Sequence, residues 1–188
     1  SHNDLLDAIN ITTNGALISH HIDRIEKLEK VKNINLSIDS LHQDKFAKIT
    51  RRDVFPEVYK TFELLEKSSL NLKLNVVVQS GFNTDEIVDF VRLTKDKNVA
   101  VRFIEEMPFN GKGQREMEES WTFKKILNEI KTEFDVKELV SEKSSTSRNY
   151  SIENHLGSVG IIPAFTRTIC NNCNRIRITS TGTFKNCL

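Results

Sequence analysis

All three cysteines of this 188-residue chain lie in its last 19 residues, as Cys170-x2-Cys173-x13-Cys187. Thiolates at that spacing hold soft or borderline metals. Two centres fit. One is a structural zinc, with His155 as the fourth ligand closing a Cys3His tetrahedron. The other is a 4Fe–4S cluster, which four cysteines normally hold. Three cysteines would leave one iron open to substrate. A redox CxxC pair is the plainer alternative, but it leaves the third cysteine unexplained. Arg175 and Arg177 sit between the second and third thiols, two residues apart on a predicted strand. Alternation sends both to one face and predicts that Ile176 and Ile178 bury on the other. Two guanidiniums beside a metal centre make a clamp for phosphates or carboxylates. A structural zinc has no use for one.

Polar residues inside otherwise apolar runs form the second candidate group. Thr12, Thr13 and Asn14 end the run "AINITTNG", and Ser37 and Asp39 end "NINLSID". In "LKLNVVVQ", Lys73 and Asn75 share one parity while Leu72, Leu74 and Val76 take the other. Arg102 interrupts "VAVRFIEEM", with Glu105 and Met107 near its end. Capping accounts for Asn14 and Asp39. It does not account for Lys73, because a lysine inside a strand must be paired, at an edge or near a ligand.

These runs need a frame. Each is strand-length and rich in Ile, Val, Leu and Phe. "SHHIDRIEKLEK" places Ile22, Ile25 and Leu28 at helical spacing, and "FPEVYKTFELLEKS" does the same for Val58, Phe62 and Leu65 behind Pro56. "NTDEIVDFVRLTKDK" predicts a helix capped by Asn83 or Thr84, with Ile87, Phe90 and Val91 on its apolar face. Strand and helix in alternation mean βα units and a parallel sheet, with strand carboxyl ends lining the ligand site. Residues 109–120 read as a loop, "WTFKKILNEIKTEF" as an amphipathic helix and 141–149 as a hydrophilic connection. "YSIENHLGSVGIIPA" and "RIRITSTGTFKNCL" read as hairpins, the second turning at Ser180-Thr181-Gly182. The expected division is a βα region over 1–140 and a metal-motif segment over 141–188.

The gross features narrow the partners. Hydrophobic residues make up 38% of the chain, enough for a sizeable core. Twenty-seven basic and 26 acidic side chains leave a net charge of +1, which argues against nucleic acid and against a polybasic membrane anchor. No secretory signal is visible, and three cysteines do not make a disulfide framework, so a reducing cytoplasm is the expected compartment.

"ITTNG", "NINLSID", "LKLNVVVQSGFNTDEI", "VRFIEEMPF", "VGIIPAF" and "CNNCNRIRITSTGTFKNCL" follow one another in an order and spacing that resemble a known family. It is the radical S-adenosylmethionine GTP 3′,8-cyclase family of molybdenum cofactor biosynthesis. The resemblance covers essentially the whole chain. It implies α/β architecture, part of an incomplete (β/α)6 TIM-like barrel (strands three to six) followed by a C-terminal β-hairpin segment. It implies conversion of GTP to (8S)-3′,8-cyclo-7,8-dihydroguanosine 5′-triphosphate, a lyase reaction begun by a 5′-deoxyadenosyl radical. Carried across, Cys170, Cys173 and Cys187 match ligands of a second, substrate-binding 4Fe–4S cluster. Thr12, Lys73, Arg175 and Arg177 match GTP contacts, and Ser37 and Met107 match S-adenosylmethionine contacts. The family's first-cluster motif CxxxCxxC, the GGEP stretch after it and the Gly-Gly tail do not occur in these residues. The expectation is an internal fragment, inactive alone, whose half-open sheet edge invites association into a homodimer.

The competing class is a non-catalytic, metal-stapled module, zinc or iron–sulfur, that holds a nucleotide or a partner protein. Metal analysis separates the two. Anaerobic reconstitution should give about one 4Fe–4S cluster on Cys170, Cys173 and Cys187, read as iron and sulfide per chain. Stoichiometric zinc without iron uptake would favour the module.

Overall fold

A computed structural model describes residues 6–107, 120–140, 145–166 and 175–185. The cysteine trio, the expected loop at 109–119 and the first part of the hydrophilic connection lie outside the described residues. The strands are β1 (Ile9–Thr13), β2 (Val31–Ser37), β3 (Asn71–Val78), β4 (Val99–Glu105), β5 (Val136–Glu138), β6 (Arg148–Ile152) and β7 (Ser158–Ile162). They form one seven-stranded sheet in the order β1-β2-β3-β4-β7-β6-β5. β1 to β4 and β7 run parallel, and β5 and β6 run antiparallel beside β7. The sheet therefore takes strands from both sides of residue 140. A separate two-stranded ribbon joins β8 (Arg177–Ile178) to β9 (Phe184–Lys185), with Ser180 to Gly182 at the turn as expected.

The helices are α1 (Ile22–Glu26), α2 (Gln43–Thr50), α3 (Phe55–Glu66), α4 (Ile87–Asp96) and α5 (Phe123–Lys131). Their apolar stripes and one parity of the strands make a single buried cluster. Leu72, Leu74, Val76, Val101, Phe103, Val159 and Ile161 come from the sheet. Val58, Phe62, Leu65, Ile87, Phe90, Val91, Ile126 and Ile130 come from the helices. Phe90 and Phe103 meet edge to face across this layer at 6.3 Å between centroids. Each such burial contributes about 1.5–3 kcal/mol relative to exposure.

Two local expectations are corrected, and one helix went unforeseen. Leu28 is exposed, because α1 ends at Glu26 before the third apolar position is reached. Asn83 stands at the N-cap position of a 3-10 turn (Thr84–Glu86) that leads into α4, but its side chain makes no capping hydrogen bond. Buried Asn83 instead accepts from Gln79 N at 2.8 Å and donates to the carbonyls of Asp39 and Val77, tying three loop segments at the strand ends. α2, where only Phe46 is buried in a mostly polar sequence, carried no apolar stripe to predict it from.

Gly15 shows why the "TTNG" turn is built as it is. Its φ is +82°, and a Cβ there would sit 2.6 Å from Leu36 Cδ1 and 3.2 Å from Val58 Cγ1. Its carbonyl accepts the buried Thr61 hydroxyl at 2.6 Å, which pins the end of β1 to α3. Gly15→Ala combines left-handed strain with overpacking and should lower unfolding stability by about 2–4 kcal/mol, measured by urea denaturation. An unchanged midpoint would mean that the turn relaxes freely.

Candidate functional site

The strand parity that faces away from the helices is polar and half-exposed. Register places its residues in rows of three or four across five strands. Asn10, Asn33 and Asn71 make the first, and Thr12, Asn35, Lys73 and Ala100 the second. Ser37, Asn75, Arg102 and Gly160 make the third, nearest the carboxyl ends. Parallel sheets normally cover both faces with apolar side chains. Here one face is polar and half-exposed.

Asparagine amides organise the first two rows. Asn33 Nδ2 donates to Asn10 Oδ1, and Asn35 Nδ2 donates to Thr12 Oγ1 at 3.2 Å. The carbonyl oxygens Asn35 Oδ1 and Asn75 Oδ1 are buried and have no hydrogen-bond partner among the described residues. A buried acceptor left empty costs about 1–3 kcal/mol, so both invite an N–H or O–H from outside the chain. Towards the amino ends, Asn33, Asn71, Lys73, Asn98 and Ser158 line a cleft of about 230 Å³.

The charges on this face have one sign. Burial first, and the Arg102 guanidinium second, push the Lys73 ammonium below its ordinary value of 10.5. Burial first, and Arg175 second, likewise lower Arg102. Lys73, Arg102 and Arg175 are thus in serial electrostatic reach. Among the described residues no carboxylate makes an ion pair with Lys73 or Arg102. Gly160 provides the floor on which Arg102 lies, since a Cβ there would be 3.4 Å from Arg102 Cγ and 2.9 Å from Asn149 Oδ1. Half-desolvated like charges repel each other unless an anion joins them.

Buried carboxylates hold the loops at the carboxyl ends of the strands. Glu86, 1% exposed, accepts from Ser40 Oγ, from Leu41 N at 2.7 Å and from Lys45 Nζ at 3.1 Å, which fixes the loop after β2. Asp39 Oδ1 accepts from Val77 N at 2.8 Å; burial raises its carboxyl and that hydrogen bond opposes the rise. Asp39 therefore joins β2 to β3 and does not cap a helix. Asn14 stays local, its Oδ1 accepting from Ala16 N.

The structure puts Thr12 and Lys73 in one row, with Ser37 at the carboxyl end of β2 and exposed Met107 two residues past β4. Arg175 is linked to that face through Arg102, and Arg177 opens β8. Cys170, Cys173 and Cys187 fall outside the described residues. Ile176 and Ile178 do not bury against anything: they are 70% and 61% exposed on a free two-stranded ribbon. His155 has partners of its own among the described residues. Its Nδ1 is 2.8 Å from Thr94 Oγ1 and its ring stacks edge-on against Phe134, in the turn before β7. Residue 166, where the chain leads on to the cysteines, lies past the opposite end of that strand. Sequence reasoning noted Arg102 as an intrusion in a strand without assigning it to the site; its parity match with Lys73 was the available signal.

Two family descriptions match the chain end to end. Residues 3–94 match the Radical SAM superfamily, and residues 99–188 match Molybdenum Cofactor Synthesis C. Molybdenum cofactor biosynthesis protein moc-5 of Caenorhabditis elegans is 41% identical over 96% of this chain and 30% of its own length. The GTP 3′,8-cyclase of Chlorobaculum tepidum is 35% identical over 97% of this chain and 56% of its own length. The GTP 3′,8-cyclase of Alkaliphilus oremlandii is 36% identical over 100% of this chain and 58% of its own length. The chain thus spans a third to somewhat over half of these relatives.

The lowered Lys73 value has a sign that can be tested. The folded chain holds this proton less tightly than the unfolded chain. The resulting cost is full at neutral pH and is relieved as pH rises through the depressed value towards 10.5. Amine-directed labelling of Lys73, followed by mass spectrometry, should reach half-reactivity at lower pH than exposed lysines. Arg102→Met should move that point upward, because it removes the second of the two causes. No movement would mean that burial acts alone.

Proposed function

We propose, from the premise that the chain belongs to the radical S-adenosylmethionine superfamily in the branch that carries a molybdenum cofactor synthesis C segment, that it is the greater part of the substrate chamber of a GTP 3′,8-cyclase. One observation carries this reading: Lys73 and Arg102 stand on one polar sheet face with no carboxylate ion pair among the described residues, and Arg175 is near enough to Arg102 to act on it as a like charge. A triphosphate brings about four negative charges, which would join these cations and relieve their repulsion. In this reading the open face is the interior of an incomplete (β/α)6 barrel, with the loops at strand carboxyl ends forming its mouth.

The remaining residues take roles in the same frame. Arg177 follows Arg175 at the spacing of a second guanidinium on one strand face. Thr12 presents a hydroxyl already oriented by Asn35. Asn35 Oδ1 and Asn75 Oδ1 would accept from ligand hydroxyl or amino groups. Ser37 and Met107, at the mouth, would face S-adenosylmethionine. Cys170, Cys173 and Cys187 would hold a 4Fe–4S cluster, which supplies an iron able to hold the guanine base when bound. The isolated 188-residue polypeptide has no cysteines beyond these three, so it should not cleave S-adenosylmethionine by itself.

The test is Arg102→Met in the full-length protein after anaerobic reconstitution. Its dissociation constant for GTP should rise about 10–150-fold, since hydrogen bonds to charged groups are worth about 1.5–3 kcal/mol each. Iron content and affinity for S-adenosylmethionine should match the parent. Unchanged GTP binding would remove the triphosphate from this face, and loss of iron would make Arg102 a support of the cluster.

A further inference from the structure

Glu105 is the last residue of β4 and is 2% exposed. Its carboxylate takes four hydrogen bonds and no salt bridge among the described residues. Oε2 accepts from Phe165 N at 2.9 Å and from Thr166 N at 2.8 Å. Oε1 accepts from Thr166 Oγ1 at 2.7 Å and from Phe123 N. Phe123 is the first residue of α5, a helix with no acidic residue in its first turn and no side-chain cap on Thr122. A carboxylate from a neighbouring strand thus satisfies an orphan donor and complements the helix dipole. Residues 165 and 166 follow β7, and Cys170 comes four residues after Thr166 in sequence.

We infer that Glu105 is a positioning residue: it fixes the point and direction at which the chain leaves the sheet for the cysteine and arginine segment, and ties that departure to α5. This rests on the reading of that segment as part of the GTP site. Three features support it. The four donors come from two segments about 40 residues apart in sequence, so one carboxylate holds both the start of α5 and the stretch just past β7, the strand paired with its own. Three of the four donors lie on two consecutive residues, which fixes orientation as well as position. Arg102 is on the same strand three residues earlier, so one strand carries both an anion contact and the latch for the segment bearing Arg175. Glu105 touches neither ligand in this account; it acts through the backbone of 165–166.

Glutamine separates the two arms of the latch. An amide nitrogen in place of Oε2 would oppose two backbone N–H donors. In place of Oε1 it would oppose one, because the Thr166 hydroxyl can turn to accept. Glu105→Gln should therefore release Phe123 and keep residues 165–166, whereas Glu105→Ala releases both. Thr166→Val removes a single bond at the chain's departure.

The experiment uses the full-length, anaerobically reconstituted protein and measures thermal midpoint, GTP affinity and S-adenosylmethionine affinity. Thr166→Val and Glu105→Ala should weaken GTP binding, Glu105→Ala by about tenfold or more, while S-adenosylmethionine affinity stays within about twofold of the parent. Glu105→Gln should fall between parent and alanine. If any variant lowers the midpoint while both affinities hold, or weakens both ligands equally, Glu105 is only a fold support and the inference is wrong. If Glu105→Ala does not fold, Thr166→Val decides alone. A parent protein that fails to bind GTP would sink the proposed function, and is recognisable before any variant is compared.

Discussion

Repulsion among cations that share one half-desolvated face is the constraint on which the rest of the site depends. Lys73 and Arg102 both hold their protons less tightly than usual, from burial first and a neighbouring like charge second, so their arrangement adds no stability of its own. The cost is borne by the core on the other side of the same strands, where Leu72, Leu74, Val101 and Phe103 are almost wholly enclosed. One sheet thus has an apolar face for folding and a polar face proposed for a ligand, separated by the period of two. The two buried amide oxygens belong to the same logic. They are acceptors among donors, and would sort hydroxyl and amino groups from phosphate on a ligand carrying both.

The mouth is built differently from the face. There the side chains that matter are buried acids: Glu86 is held by the Ser40 hydroxyl, the Leu41 amide and the Lys45 ammonium, and Glu105 by three backbone amides and the Thr166 hydroxyl. Charge-assisted bonds of this kind fix a loop without an apolar plug. Asn83 completes the set by using both its oxygen and its nitrogen on main-chain groups.

Much of this was legible in the sequence. The parity of Lys73 and Asn75 against Leu72, Leu74 and Val76 assigned the two faces correctly, since alternation is local and needs no partner. The alternation of β1 to β4 with α1, α3 and α4 followed from the spacing of apolar residues, as did α5 and the two hairpins, whereas α2 and β5 were not read from it. What was hidden depended on distant partners. Glu86 reads as an acidic helix start until Ser40 and Leu41 arrive from 46 and 45 positions away. Glu105 reads as a strand end until residues 165–166 reach it. Ile176 and Ile178 misled because alternation gives a face but not a neighbour to bury it. The reading of Cys170, Cys173 and Cys187 as metal ligands rests on their spacing alone, because they lie outside the described residues, while the family comparison rests on residues along the whole chain.

The central claim is that the polar face of the sheet receives the triphosphate of a nucleotide. A crystal structure of the reconstituted full-length protein with GTP bound tests it most directly. The account predicts phosphate oxygens within hydrogen-bond distance of Lys73 Nζ and of the Arg102 guanidinium, on the side of the sheet opposite Leu74 and Phe103. A triphosphate bound elsewhere, with Lys73 and Arg102 facing water or a carboxylate, would contradict it.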